Sequence, residues 1–396
     1  MPLRRLAAVQ SHLQAERVDG WLLYDFHGLN PIARRLTLIP TDRILTRRWA
    51  CFIPARGEPR WLIHAIEAGG LQDLVPHPET YISWQEWQDG LRRLLGGARR
   101  IAMEYSPGGS IPVVSRVDAG TVELVRSLGI DVVSSADLVQ VAEAVLSPEQ
   151  VQSHRRAARA LIAIKDLAFA FVAERLHNGH PATEVEVQSL IMRLFREYGL
   201  VTDHPPIVAV NEHAADPHFI PRQETDTPIQ EDSVLLIDLW AKEQEPDAVY
   251  ADITWMAYTA PDPPPHLQEV FQAVRQARDA AVALVRERMQ TRRPVYGYEV
   301  DDAARQVIAD AGLAEYFIHR TGHSLGVEVH GNGVNMDNLE TRDARRLIPG
   351  IAFTVEPGIY LAHKGFGVRL EIDCYIHEDD VEVTTLPLQE DWVCLP

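Results

Sequence analysis

Leu3, Leu6, Val9 and Leu13 recur at the three- and four-residue intervals that line one face of a helix, and an unbroken apolar run, Gly20 to Tyr24, follows. The pattern predicts a helix and then a buried strand. Further apolar runs, at Trp61 to His64, Arg100 to Met103 and Val132 to Val133, alternate with helical stretches at Gln85 to Leu95 and Ala119 to Leu128. Strands interleaved with helices predict an α/β arrangement. A turn at Ser147-Pro148 opens a helical pattern reaching about Leu176, and a second, after Gly179 and Pro181, spans Thr183 to Tyr198.

Beyond these helices the texture changes. Extended runs at Ser233 to Leu239, Val249 to Tyr258, Ile351 to Leu361 and Gly367 to Ile376 are joined by helical patterns at Pro265 to Met289 and Glu299 to Gly312. This predicts a sheet-centred α+β domain. At 396 residues the chain exceeds what one core usually holds, so an α/β amino-terminal domain over 1–146 and an α+β domain over 147–396 are expected. The proline-rich Pro261 to Pro265 reads as a turn before a helix.

Composition narrows the function classes. Apolar residues make up 46% and charged residues 24%, the balance of a globular protein. A formal charge of −18 argues against nucleic acid or an anionic membrane as partner. Three cysteines, Cys51, Cys374 and Cys394, give neither a disulfide framework nor a thiolate zinc site. The first residues lack the apolar segment of a secretory signal and no stretch of about 18 apolar residues occurs, so a cytoplasmic location is expected.

Against this background several polar residues stand out of character. Asp238 ends the run VLLIDL, and Asp252 lies within VYADITWMAY, where period-2 alternation puts it on one face with Thr254, and Ile253 and Trp255 on the other. An antiparallel partner would hold Asp238 opposite Asp252, and two facing carboxylates repel unless a cation joins them. The alternative is a loop cap for Asp238 and a local hydrogen bond for Asp252. His319, His323 and His330 fall within twelve residues punctuated by Gly322 and Gly326, and Glu356 and Glu371 each sit inside an apolar, strand-like run. Four such acids with a histidine cluster suit divalent ions, Mn²⁺ first, with Co²⁺ or Zn²⁺ as alternatives. Two ions sharing a water would activate it for hydrolysis.

The order D…D…HxxGHxxGxxxH…TVEPGIY…GVRxE resembles the pita-bread metallopeptidases, namely Xaa-Pro dipeptidase (prolidase) and aminopeptidase P. It covers 147–396, and the preceding domain looks like the creatinase/prolidase-like amino-terminal domain of the same enzymes. The resemblance implies a curved antiparallel sheet with helices. It implies that Asp238 binds one metal, that His323 and Glu356 bind the other, and that Asp252 and Glu371 bridge them around a shared water or hydroxide. It gives Glu356 a proton-shuttling role. His218 and His330 would bind the scissile carbonyl and its oxyanion, with His213 as competitor for the first place. His319 would line a proline pocket, and Arg369 would order the site or contact substrate.

The chain departs from that pattern at Trp240, where glycine is usual, and at Trp255, where arginine is usual; Asp238 and Asp252 are also more widely spaced, with Glu243 to Asp247 as the insertion. Arg342 resembles the arginine that clamps a dipeptide carboxylate, which implies hydrolysis of Xaa-Pro dipeptides; its alternative is a solvated basic face with Arg345 and Arg346. Aminopeptidase P, acting on longer peptides, is the second reading, and a catalytically silent protein-binding module the third. Relatives that form dimers imply a homodimer, with Asp25, His27 and Arg34 as candidates for contacts to a neighbouring subunit.

Overall fold

The computed structural model describes residues 3–395 apart from 41 and 76, and the chain separates into two compact units, Met1–Glu143 and Ala144–Pro396. The expected boundary after residue 146 falls three residues late. Val145 bridges Ile351, and the Leu146 N–H donates to the Gly350 carbonyl at 2.8 Å, so backbone pairing ties these residues to the second unit.

In the first unit a six-stranded sheet runs in the order Glu79–Tyr81, Arg60–His64, Trp49–Pro54, Gly20–Asp25, Arg100–Met103, Asp131–Ser134. Gly20–Asp25 is buried along its whole length because both faces are covered. Trp21 and Leu23 enter one apolar core, and Leu22 and Tyr24 enter another. The helix Leu6–Ala15 precedes it as expected, whereas Trp49–Pro54 was not foreseen from its pattern. Asp25 is not free for a neighbour. It is buried and accepts from the backbone of Gly28 and Asn30 and from the Trp49 indole, while Arg34 binds the carbonyls of Pro40 and Arg43.

The second unit is built on two antiparallel pairings. Val234–Glu243 pairs with Ala251–Tyr258, and Ala352–Val355 pairs with Ile372–Ile376. The first sheet also takes in Val393–Cys394, which runs parallel to Ala251–Tyr258, so the sheet is not purely antiparallel. Alternation sorts the side chains cleanly. Leu235, Ile237, Leu239, Ile253 and Trp255 pack with the helices Pro148–His177 and Glu184–Glu197, while Val234, Leu236, Met256 and Tyr258 face the helices Pro265–Gln290 and Gly297–Asp310. Asp238, Trp240, Asp252 and Thr254 continue this second face, where the apolar row turns polar. Trp255 lies on the other face, its ring 3.6 Å from the buried Lys165 ammonium, in the helix-packed core.

Candidate metal centre

The observed register places Trp240 opposite Asp252 and Asp238 opposite Thr254. The two aspartates are therefore diagonal neighbours rather than directly facing. Thr254 links them to the next acid: its hydroxyl donates to Glu371 Oε2 at 2.8 Å, and its carbonyl accepts the Glu371 N–H at 3.2 Å.

Glu356 and Glu371 do not lie inside strands. The first extended run breaks into Ala352–Val355 and Gly358–Leu361, with Glu356-Pro357 in the gap; the other breaks into Phe366–Arg369 and Ile372–Ile376 around Leu370-Glu371. Proline cannot donate a ladder hydrogen bond, which ends the first strand there. The histidine run likewise supplies only the short strand Ser324–Leu325. It is held by Thr354, whose hydroxyl accepts the His323 N–H at 3.0 Å and donates to Glu356 Oε1 at 3.2 Å.

Asp238, Asp252, His323, Glu356 and Glu371 converge. Ligand atoms of Asp252, His323 and Glu371 lie within 4.8 Å of one another, and His323 Nε2 is 3.4 Å from Glu356 Oε1 and 3.7 Å from Asp252 Oδ2. Burial, Glu371 and Asp238 push Asp252 well above the carboxylate range, and burial with Glu356 and Asp238 does the same to Glu371. Burial raises Glu356 to about 7 against the pull of Arg369, and burial also raises Asp238.

Three features of this cluster fit a divalent cation. Asp238 Oδ1 and Asp252 Oδ1 are buried and accept no hydrogen bond from the described residues. Burial and the neighbouring His330 hold His323 well below its usual pKa, so it is neutral. Its Nδ1 faces the Ser324 carbonyl at 3.2 Å and carries the hydrogen, so the Nε2 lone pair confronts carboxylate oxygens. Opposed lone pairs and crowded carboxylates are destabilising alone and stabilising around a positive ion.

Arg369 is the buried counter-charge. It donates to Asp238 Oδ2 at 2.6 Å, Thr254 Oγ1 at 3.1 Å and the Tyr360 hydroxyl at 2.9 Å. Burial opposes its charge, but Tyr360 and the acids hold its pKa up. Tyr360 in turn donates to His319 Nε2 at 2.7 Å, and His319 Nδ1 bonds the Arg320 carbonyl at 2.7 Å. Burial, then the Arg369 charge, lowers His319 to about 3, so this ring is neutral.

His330 packs edge-on to His323, with centroids 4.4 Å apart. Its outer edge is exposed, yet lost hydration on the packed side and the Arg320 charge lower it to about 4. His218 is exposed, and its field reaches Asp238 and His330. His213 is committed elsewhere, bonded to the buried Glu184 carboxylate at 2.9 Å and stacked on Phe219 at 4.0 Å. Arg342 is exposed over the Tyr298 ring at 4.5 Å, outside the acid cluster. It does not share a solvated face with Arg345, which is buried, ion-paired to Asp343 at 2.6 Å and bonded to the carbonyls of Asn332 and Gly333.

Sequence reasoning passed over Tyr360 and Asp373. Asp373 Oδ2 accepts the Asp252 N–H at 2.9 Å and so fixes the strand behind that carboxylate. Its signal was present, since Asp373 is an acid in the same apolar run as Glu371. A tyrosine in an apolar strand carries no such signal.

The chain is similar to several known peptidases. A probable dipeptidase PepE of Mycobacterium tuberculosis is 28% identical over 348 residues, 86% of this chain and 84% of its own length. The Xaa-Pro dipeptidase of Lactobacillus delbrueckii subsp. lactis is 32% identical over 237 residues, 57% of this chain and 58% of that protein. Among solved structures, dipeptidase PepE from Mycobacterium ulcerans superposes with a TM-score of 0.74 at 25% identity, covering 99% of this chain and 97% of the other. A prolidase from Thermococcus sibiricus shares the fold at TM-score 0.67 and 21% identity, with each chain covered in full (100% and 100%). The profile of metallopeptidase family M24 matches residues 152–378, more than half of the chain. With its pita-bread fold and a buried carboxylate–imidazole cluster suited to divalent metal, the chain belongs to metallopeptidase family M24.

Proposed function

We propose that this metallopeptidase hydrolyses Xaa-Pro dipeptides in the cytoplasm as a homodimer, with Asp238, Asp252, His323, Glu356 and Glu371 holding two divalent ions, Mn²⁺ foremost. The observation that carries the reading is the convergence of three buried acids, the partly buried Glu356 and one neutral imidazole, with two carboxylate oxygens that find no donor among the described residues. The Xaa-Pro dipeptidase named among the relatives supports the substrate class. Ions bound there supply Lewis-acid polarisation of the scissile carbonyl and make a water nucleophilic near neutral pH.

The chain's own residues do the remainder. Glu356 takes the water's proton and returns it to the proline nitrogen that leaves. His330, neutral at physiological pH, and His218 offer N–H groups to the oxygen that gains charge. One preorganised donor of this kind is worth about 3 kcal/mol. His319, fixed by Tyr360 and Arg320, forms an uncharged wall for the proline ring. Arg342, exposed on its loop, pairs with the free carboxylate of the dipeptide.

The test is hydrolysis of Ala-Pro and Ala-Pro-Ala by metal-stripped protein reconstituted with Mn²⁺, alongside Glu371→Ala. Dipeptide cleavage that returns with metal and disappears in the variant is the expected result. Preferential cleavage of the tripeptide would move the assignment to aminopeptidase P, and metal-independent inertness toward both would leave a silent binding module.

A further inference from the structure

The first unit carries a cavity of about 660 Å³ that the peptidase reading does not employ. It opens where the strands Gly20–Asp25, Arg60–His64 and Glu79–Tyr81 end. These three run in the same direction, because Trp49–Pro54 is antiparallel to both its neighbours. The carboxyl edge of such a sheet is where open α/β folds take ligands. A volume of this size suits a small organic molecule rather than an ion.

The walls combine aromatic rings with two arginines and one acid, Asp118. Tyr24, Phe26, Tyr81 and Trp84 line the cavity; Phe26 and Trp84 are 40% and 61% exposed, so large apolar surface faces the opening. Arg47 and Arg48 enter from the residues before Trp49. Neither forms an ion pair among the described residues. Arg48 lies 5.1 Å from the Trp87 ring centroid, and among the described residues the Arg47 guanidinium donates only to the neighbouring Thr46 hydroxyl, at 2.8 Å.

The nearby acids are already engaged. Asp118 caps its helix through the Thr121 N–H and hydroxyl, and Glu67 accepts from the Thr46 N–H and hydroxyl and from the Arg47 N–H. Ser83 caps the other helix that begins at the cavity. With both helix ends satisfied, the arginines are the groups left to receive a ligand. Residues 1–143 hold sixteen arginines against sixteen acids, so the whole −18 lies in the other unit and the positive charge here is a local arrangement.

We propose that this cavity binds an aromatic carboxylate about the size of an N-acylated aromatic amino acid. The carboxylate pairs with the guanidinium of Arg48 and with Arg47, and the ring lies among Tyr24, Phe26, Tyr81 and Trp84. A free α-amine is disfavoured beside two arginines whose neighbouring acids are engaged.

The test is calorimetric titration of the full chain with N-acetylphenylalanine and with its neutral amide, repeated on Arg47→Ser/Arg48→Met. These positions lie outside the peptidase machinery, so Ala-Pro hydrolysis is expected to be unchanged, and the circular-dichroism melt of the variant against that of the parent serves as the folding control. Saturable binding of the acid is expected, with at least about a tenfold loss both for the amide and in the double variant. No binding of the acid, or a smaller loss in either comparison, overturns the proposal. If the double variant does not fold, the comparison of acid with amide on the unaltered chain decides alone.

Discussion

Tyr360 touches none of the acids, yet its hydroxyl accepts from Arg369 and donates to His319, so one oxygen sets the position of the buried guanidinium and the tautomer of the imidazole. Tyr360→Phe removes both bonds. The expected result is a roughly tenfold loss in kcat for Ala-Pro with about 1 kcal/mol less stability; an unchanged kcat would show that Arg369 and His319 hold their places without it. Trp240 is cross-strand partner to Asp252, with its indole N–H fixed on Asp203 at 3.0 Å, and so walls one side of the acid cluster. Trp240→Gly is expected to raise kcat/KM for Phe-Pro relative to Gly-Pro by about tenfold, and an unaltered ratio would remove it from the substrate's path.

Glu104 poses a separate residue-scale question in the first unit. It is fully buried, bonded by the Trp21 indole, the Asn30 amide and the Ser135 hydroxyl, and burial lifts it from 4.5 to about 7. A raised carboxyl binds its proton more tightly folded than unfolded, so stability should fall as pH rises from about 4.5 to 7 and level off above. The full swing is about 3 kcal/mol. Glu104→Gln should therefore match the parent near pH 5 and exceed its melting temperature at pH 8. A gap between the two proteins that stays the same at both pH values would contradict this.

At the scale of elements, the strand interruptions matter more than the strands. Glu356 and Glu371 reach the centre because their strands stop just there, releasing the backbone from the pleat. The glycine before His323 has a similar role. A Cβ on Gly322 would meet the Thr354 carbonyl oxygen at 2.0 Å, and Thr354 is the residue that binds both His323 and Glu356. Gly326 has no such neighbour, with its nearest atom at 3.9 Å, so only one of the two glycines in that run is there for close approach. Gly322→Ala forces backbone apart and should lower stability by about 2 kcal/mol and weaken metal retention in dialysis against a chelator; retention equal to that of the parent would show that the turn absorbs the methyl.

For the whole molecule, each unit owns its cores. The two apolar clusters of the first unit draw only on residues from Leu3 to Ala142, and those around the acids draw only on residues from Ala144 onward. A fragment of residues 1–143 is therefore expected to fold alone and melt cooperatively, as followed by circular dichroism, whereas a featureless melt would mean that the rest of the chain is needed. Charge divides along the same line, with a neutral first unit and an acidic second one. High salt should leave the fragment's melting temperature nearly unchanged, because little like-charge repulsion is there to be screened.

The sequence by itself determined the helices and the strands whose apolar period was unambiguous, such as Leu6–Ala15, Arg100–Met103 and Pro148–His177, because local spacing and caps dictate those. It also singled out Asp238, Asp252, His323, Glu356 and Glu371, since a charged group within an apolar run has few structural reasons to be there. Tertiary structure alone decided what depends on register and approach. It set Asp238 diagonal to Asp252, placed Trp240 across from Asp252, and put Asp373 behind the Asp252 strand. It also tied His213 to Glu184, buried Arg345 while leaving Arg342 exposed, and moved the unit boundary to residue 143. Each of these turns on which distant backbone a residue pairs with, and a one-dimensional pattern of polarity does not encode that pairing.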